Sequence, residues 1–225
     1  GLFFSWHWQT TRSLLPFAIL FSSQRDMKLE FPKGFAWGTS TAAAQIETAT
    51  DHPWRGLRAL DGYIFERTTD HEKHRMEDAD LIIRLRGVYR CGVDWCRLQT
   101  KPFEKFDKAV VREYRLFFDK LKSGGVDLMF VLHHFSHPNW FESCGGWTVE
   151  DNIPMYLDFV RQCIKHFGEY VRFWNTFNEP NVYAMNAFML GNFPPFKKGR
   201  YFMANRVLDN MGKAHEIAMI MIREK

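Results

Sequence analysis

Four times along this chain, a short apolar run of strand character is followed by a segment whose apolar positions recur at helical spacing. The strand-like runs cover residues 35–43, 88–97, 127–134 and 171–177. The helical patterns cover 72–84, 108–121, 154–167 and about 206 to the end. The second helix carries an apolar stripe at Val110, Tyr114, Phe117, Phe118 and Leu121, and Gly124-Gly125 closes it. The third opens on Pro154, aligns Tyr156, Leu157, Val160, Ile164 and Phe167, and ends at Gly168. Repeated strand-helix units require parallel strands covered by helices, in either an open doubly wound sheet or a closed eight-stranded barrel.

The placement of polar residues separates these two architectures. An open sheet would put a ligand at one switch point, often with a Gly-rich phosphate loop, and no such pattern follows any strand here. A barrel gathers its chemistry at the C-terminal ends of several strands. Gln45 follows the first predicted strand, His134 ends the third, and Asn178 and Glu179 end the fourth. Arg90 lies within the second, with Tyr89, Cys91 and Val93 on the other side of the pleat, so its cation points into the barrel. The expected fold class is therefore α/β, of the (β/α)8 barrel family, with the first four βα units present as a half barrel.

Pro180 cannot donate to a sheet ladder, so the fourth strand must stop before it and present Asn178 and Glu179 at its mouth. A carboxyl group half withdrawn from water holds its proton to higher pH, and a neighbouring amide can hold a substrate hydroxyl while that acid delivers a proton. A surface turn in which Glu179 is merely hydrated is the plain alternative.

Composition narrows the function classes. The net charge of +4 comes from 30 basic and 26 acidic side chains, and no Lys/Arg run is interleaved with aromatics, which argues against nucleic acid. Cys91, Cys96, Cys144 and Cys163 lack metal-site spacing and read as reduced thiols of a cytoplasmic protein. His71 and His74 have no carboxylate or cysteine cluster to complete a metal site, and no cofactor motif is present. Residues 1–28 read as a disordered leader, their apolar stretch 14–21 being too short to span a bilayer, so a membrane partner is not expected. The domain is expected over 29–225.

Five blocks in order, Phe31 to Glu47, Tyr89-Arg90 through Arg97, Leu132-His133-His134-Phe135, Gly145-Gly146-Trp147 and Thr176 to Pro180, resemble glycoside hydrolase family 1. Within it, the Gly92-Val93-Asp94-Trp95 block and the segment from His133 to Pro138 look closest to the branch containing the plant galactolipid galactosyltransferase. The resemblance implies a retaining β-glycosidase acting on β-linked glucosyl or galactosyl units. It makes Glu179 the general acid and base, Asn178 the ligand of the sugar 2-hydroxyl, and Arg90 the residue that orients the nucleophilic carboxylate. Gln45 and His134 would hold the far side of the sugar. Trp147 would lie near the sugar pocket, and Phe135 stands where most members carry tryptophan.

The departures from the family are as informative. Retention needs a second carboxylate about 5 Å from the first, and the family carries it in a Thr-Glu-Asn-Gly strand that these 225 residues do not contain. A closed barrel takes about 250 residues or more, so half of it is expected to be missing. The segment 191–196 replaces a His-containing family segment, which puts the aglycone side in question. Two outcomes follow: a catalytically weak amino-terminal half of a glycosidase, or a non-catalytic half barrel that binds sugar or self-associates through its open sheet edges.

Overall fold

In the computed structural model, the described residues are 30–225, apart from 49, 59–61 and 63. The expectation for residues 1–28 therefore lies outside them. The chain divides into a unit ending at Phe35 and a compact unit from Ala36 to Lys225. Of the first, residues 32–35 form a turn closed by the Phe35 N–H on the Pro32 carbonyl.

The second unit has strands β1 (Gly38–Ser40), β2 (Val88–Cys91), β3 (Asp127–His133) and β4 (Val171–Phe177). All pairings are parallel, in the order β1-β2-β3-β4. Its helices are α1 (Ala43–Ile46), α2 (His71–Leu85), α3 (Trp95–Leu98), α4 (Lys108–Ser123), α5 (Asn139–Ser143), α6 (Ile153–Phe167), α7 (Pro180–Ala184) and α8 (Tyr201–Arg223). The four long ones, α2, α4, α6 and α8, each follow one strand, the βα order that the hydrophobic periodicity implied.

Element ends follow local chemistry. Asp107 caps α4 by accepting from the N–H groups of Ala109 (2.7 Å) and Val110 (3.1 Å). The run 88–97 reads as one strand, yet β2 stops at Cys91. A Cβ on Gly92 would sit 2.7 Å from the Val131 carbonyl oxygen, so only glycine allows that approach. Asp94 then accepts from the Cys96 N–H at 2.8 Å and starts α3, so the apolar residues after it are a buried helical turn. β1 is three residues long rather than nine, because the chain turns into α1 at Ala43. The last helix begins at Tyr201, one turn before the expected start.

The core lies between one face of the sheet and the long helices. Phe130 of β3 meets Phe118 of α4 and Phe167 of α6, all three 2% exposed or less. Each such ring contributes roughly 1.5–3 kcal/mol by leaving water. A second cluster under the β3 and β4 ends joins Trp147, Tyr156 and Phe177, with ring centroids 4.9–5.1 Å apart.

Candidate active site

The site is built where β4 ends. The Asn178 N–H still donates to the His133 carbonyl at 2.8 Å, continuing the β3–β4 ladder by one step. Glu179 then takes a left-handed conformation (φ 43°, ψ 60°) and Pro180 opens α7. A non-glycine residue held there carries backbone strain on the order of 1 kcal/mol or more, of the kind that clusters at functional positions. Phe135, just past β3, is left-handed too (φ 63°).

The side chains follow from that backbone. Arg90 Nη2 donates to Asn178 Oδ1 at 2.6 Å, and Arg90 Nη1 reaches Ser40 Oγ at 3.4 Å. Asn178 Nδ2 in turn donates to Glu179 Oε2 at 3.3 Å. One cation thus ties β1, β2 and the end of β4 together. It also fixes the amide, because Oδ1 accepts from the guanidinium and the NH2 group must face Glu179. Asn178 is buried, whereas Glu179 is exposed. The withdrawal from water expected of that carboxyl is therefore not supplied by these residues.

His134 follows β3 and is half-buried. Burial first, and the Arg90 charge second, lower its pKa from 6.5 to about 4, so the ring is neutral near pH 7. Its Nδ1 is buried with no hydrogen-bond partner among the described residues. Gln45 lies exposed in the α1 turn, and no side-chain hydrogen bond joins it to the others. Phe135 packs on Phe193 at 5.4 Å, and its carbonyl accepts from Trp54 Nε1 at 2.8 Å. Trp147 is 1% exposed and lies within the core, its indole N–H donating to His133 Nε2 at 3.3 Å. The structure gives it an anchoring place beneath the rim rather than a surface at it.

Two networks had no counterpart in the sequence reading. His133 Nε2 meets His137 Nδ1 at 3.2 Å, and His137 Nε2 meets Glu142 Oε2 at 2.8 Å. Glu47, the residue capping α1 just after Gln45, is 3% exposed and pairs with Arg75 (3.0 Å) and Arg97 (2.9 Å), and Tyr114 Oη donates to it at 2.8 Å. Burial pushes its carboxyl upward, with Arg75 pulling against that. A lone carboxylate amid alanines was the available signal, since buried carboxylates need partners.

Residues 27–225 match the sequence model of glycosyl hydrolase family 1. This chain belongs to that family. It is 31% identical over 205 residues to the human cytosolic beta-glucosidase, covering 83% of this chain and 43% of that relative. It is 35% identical over 112 residues to the chloroplastic galactolipid galactosyltransferase SFR2 of Arabidopsis thaliana, which spans 48% of this chain and 18% of the relative. Among solved structures, the beta-glycosidase from Pyrococcus horikoshii superposes with a TM-score of 0.79 at 30% identity, covering 88% of this chain and 47% of that one. The chain thus spans less than half the length of these relatives. Its four-stranded parallel sheet corresponds to half of the family's (β/α)8 barrel. All four cysteines are free thiols, and no helix among the described residues is long and apolar enough to cross a membrane.

Proposed function

We propose that this glycosyl hydrolase family 1 chain carries the acid/base half of a retaining β-glycosidase centre. The observation that carries the reading is the Arg90–Asn178–Glu179 hydrogen-bond chain across the C-terminal strand ends. Glu179 protonates the departing glycosidic oxygen of a β-linked glucosyl or galactosyl unit, then takes a proton from water or an acceptor hydroxyl. Asn178, turned by Arg90, offers its NH2 group to the sugar 2-hydroxyl, a contact that strengthens as positive charge grows on the ring. Neutral His134 and Gln45 accept or donate hydrogen bonds on the far side of the sugar, with Phe135 beside them. Trp147 acts from below, through His133. The second carboxylate that retention needs lies outside these 225 residues. The free thiols suit a reducing, cytoplasmic compartment.

Azide tests this reading. With p-nitrophenyl β-glucoside and β-galactoside, the chain alone is expected to turn over several orders of magnitude more slowly than a two-carboxylate glycosidase. Azide attacks the anomeric carbon as the aryl oxygen leaves, raising the rate and giving a glycosyl azide. With an alkyl leaving group, which needs the proton, Glu179→Gln removes that gain. Fast turnover without azide, or rescue indifferent to Glu179, would overturn the assignment.

A further inference from the structure

Three buried rings and one carboxylate meet beneath the loop that follows β3. Trp147 Nε1 donates to His133 Nε2 at 3.3 Å, and the same histidine nitrogen lies 3.2 Å from His137 Nδ1. On its other side, His137 Nε2 lies 2.8 Å from Glu142 Oε2. His133, His137 and Trp147 are each 2% exposed or less, and the Glu142 side chain is 23% exposed. Gly146 leaves room for that carboxylate, since a Cβ there would sit 3.0 Å from Oε2. His137 and Glu142 have no part in the proposed chemistry.

The protons of this chain can be placed one by one. An indole N–H only donates, so His133 Nε2 must present its lone pair to Trp147. Burial first, then His137 and His134, holds His133 far below the ordinary histidine range, so its ring is neutral and its one proton sits on Nδ1. That Nδ1 has no partner among the described residues in either tautomer, so Trp147 makes the choice. The lone pair on His133 Nε2 then requires a proton facing it on His137 Nδ1, because two lone pairs at 3.2 Å would repel. His137 Nε2 needs a proton too, to donate to Glu142. Between imidazole and carboxyl the proton stays on the ring, as the ordinary carboxyl pKa is about two units lower. One lone pair shared by two donors also accounts for both contacts lying at the long end of the usual range.

We propose that His137, as an imidazolium held by Glu142, is a positioning residue that ties the loop after β3 back to His133 and so sets the direction of His134. Residues 133 and 137 are the two ends of the turn that carries His134 and the left-handed Phe135. With both protons in place, His137 Nδ1–H donates to His133 and closes that turn. Without the second proton, His137 still donates to Glu142 through Nε2 but turns a lone pair toward the one on His133, and the turn opens. Of the titratable groups around His137, Glu142 supplies the negative charge. His133 and His52 are held neutral by burial, with Asp94 and Asp51 acting on His52. Tyr183, its ring 6.2 Å away, keeps its phenol proton because burial pushes its pKa up. The tie stands without the proposed sugar chemistry, and only its use, aiming His134 at a sugar, rests on that reading.

Long-range proton–nitrogen correlation spectra of the histidine rings in the purified chain test it. At neutral pH, His137 is expected to show both ring nitrogens protonated, and His133 an unprotonated Nε2. Raising the pH is expected to strip His137 Nδ1 and, in the same step, to shift the backbone amide signals of residues 134–136. His134 cannot cause that step, because its own titration lies at about 4. Glu142→Gln keeps an oxygen for the Nε2 proton but removes the charge, and is expected to leave His137 with one ring proton at neutral pH. His137→Phe fills the same space and is expected to abolish the amide step. If neither variant folds, as can follow from stranding a buried charge, the wild-type ring signals and amide step decide. A single ring proton on wild-type His137, a proton on His133 Nε2, no amide step, the same step in folded His137→Phe, or a doubly protonated His137 in folded Glu142→Gln would each overturn the proposal.

Discussion

Arg90 and Asn178, 88 residues apart, are joined by a 2.6 Å hydrogen bond from Nη2 to Oδ1. Asn178 is buried and the donor is a cation, so this bond lies at the strong end, roughly 1.5–3 kcal/mol. Arg90→Ala and Asn178→Ala are each expected to lower the urea midpoint. Because they break the same bond, the double variant should cost less than the two losses together, with a coupling of about 0.5–3 kcal/mol. Strict additivity in a double-mutant cycle would show that the two side chains do not hold each other.

The buried charge beneath α1 makes a sharper demand. Glu47 neutralises Arg75, itself 4% exposed, and Arg97. Glu47→Ala leaves two guanidinium groups without that carboxylate in the interior. A loss of about 3–5 kcal/mol is expected, read from denaturant unfolding. Glu47→Gln, which keeps an acceptor for Tyr114, should lose less. A loss under about 1 kcal/mol for the alanine variant would mean that water or Glu113, 3.0 Å from both arginines, already satisfies them.

Acid should weaken the fold through His134. Its pKa falls from an ordinary 6.5 to about 4, chiefly through burial and then through Arg90. Between those two values the unfolded chain binds a proton that the folded chain refuses, so stability decreases as pH falls across that window and levels off below it. Buried His133, pushed far down by desolvation, adds to the same trend. His134→Gln should flatten part of the dependence of the urea midpoint on pH between 6.5 and 4. An unchanged slope would place the proton sensitivity elsewhere.

The sequence made the strand-helix alternation legible because a period near 3.6 and short apolar runs survive in any packing. It made the candidate rim partly legible, because Pro180 ends β4 wherever the helices lie. The end of β2 was hidden, since Val93, Trp95 and Cys96 are as apolar as strand residues and only the Asp94 cap marks the change. Trp147 shows the harder case. Composition says that an indole seeks burial and a partner for its N–H, but nothing local says that the partner is His133 rather than a ligand. The Arg90–Asn178 bond also depends on register between strands that are not neighbours in the sheet.

Glu179 itself should be costly to the fold. Its φ of 43° lies in the left-handed region, where side chains with a Cβ are strained and glycine is not. The carboxylate is exposed, and its contact with Asn178 is long at 3.3 Å, so little packing is lost when it is removed. Glycine also enlarges the conformational freedom of the unfolded chain, which offsets part of the relief. Glu179→Gly is therefore expected to be neutral or up to about 1 kcal/mol more stable than the parent, while Glu179→Val, branched at Cβ, should be less stable. Thermal unfolding of the three proteins at one pH checks the order. A marked loss in the glycine variant would mean that the Glu179 side chain is held by the fold, and that its strained conformation is not kept for chemistry.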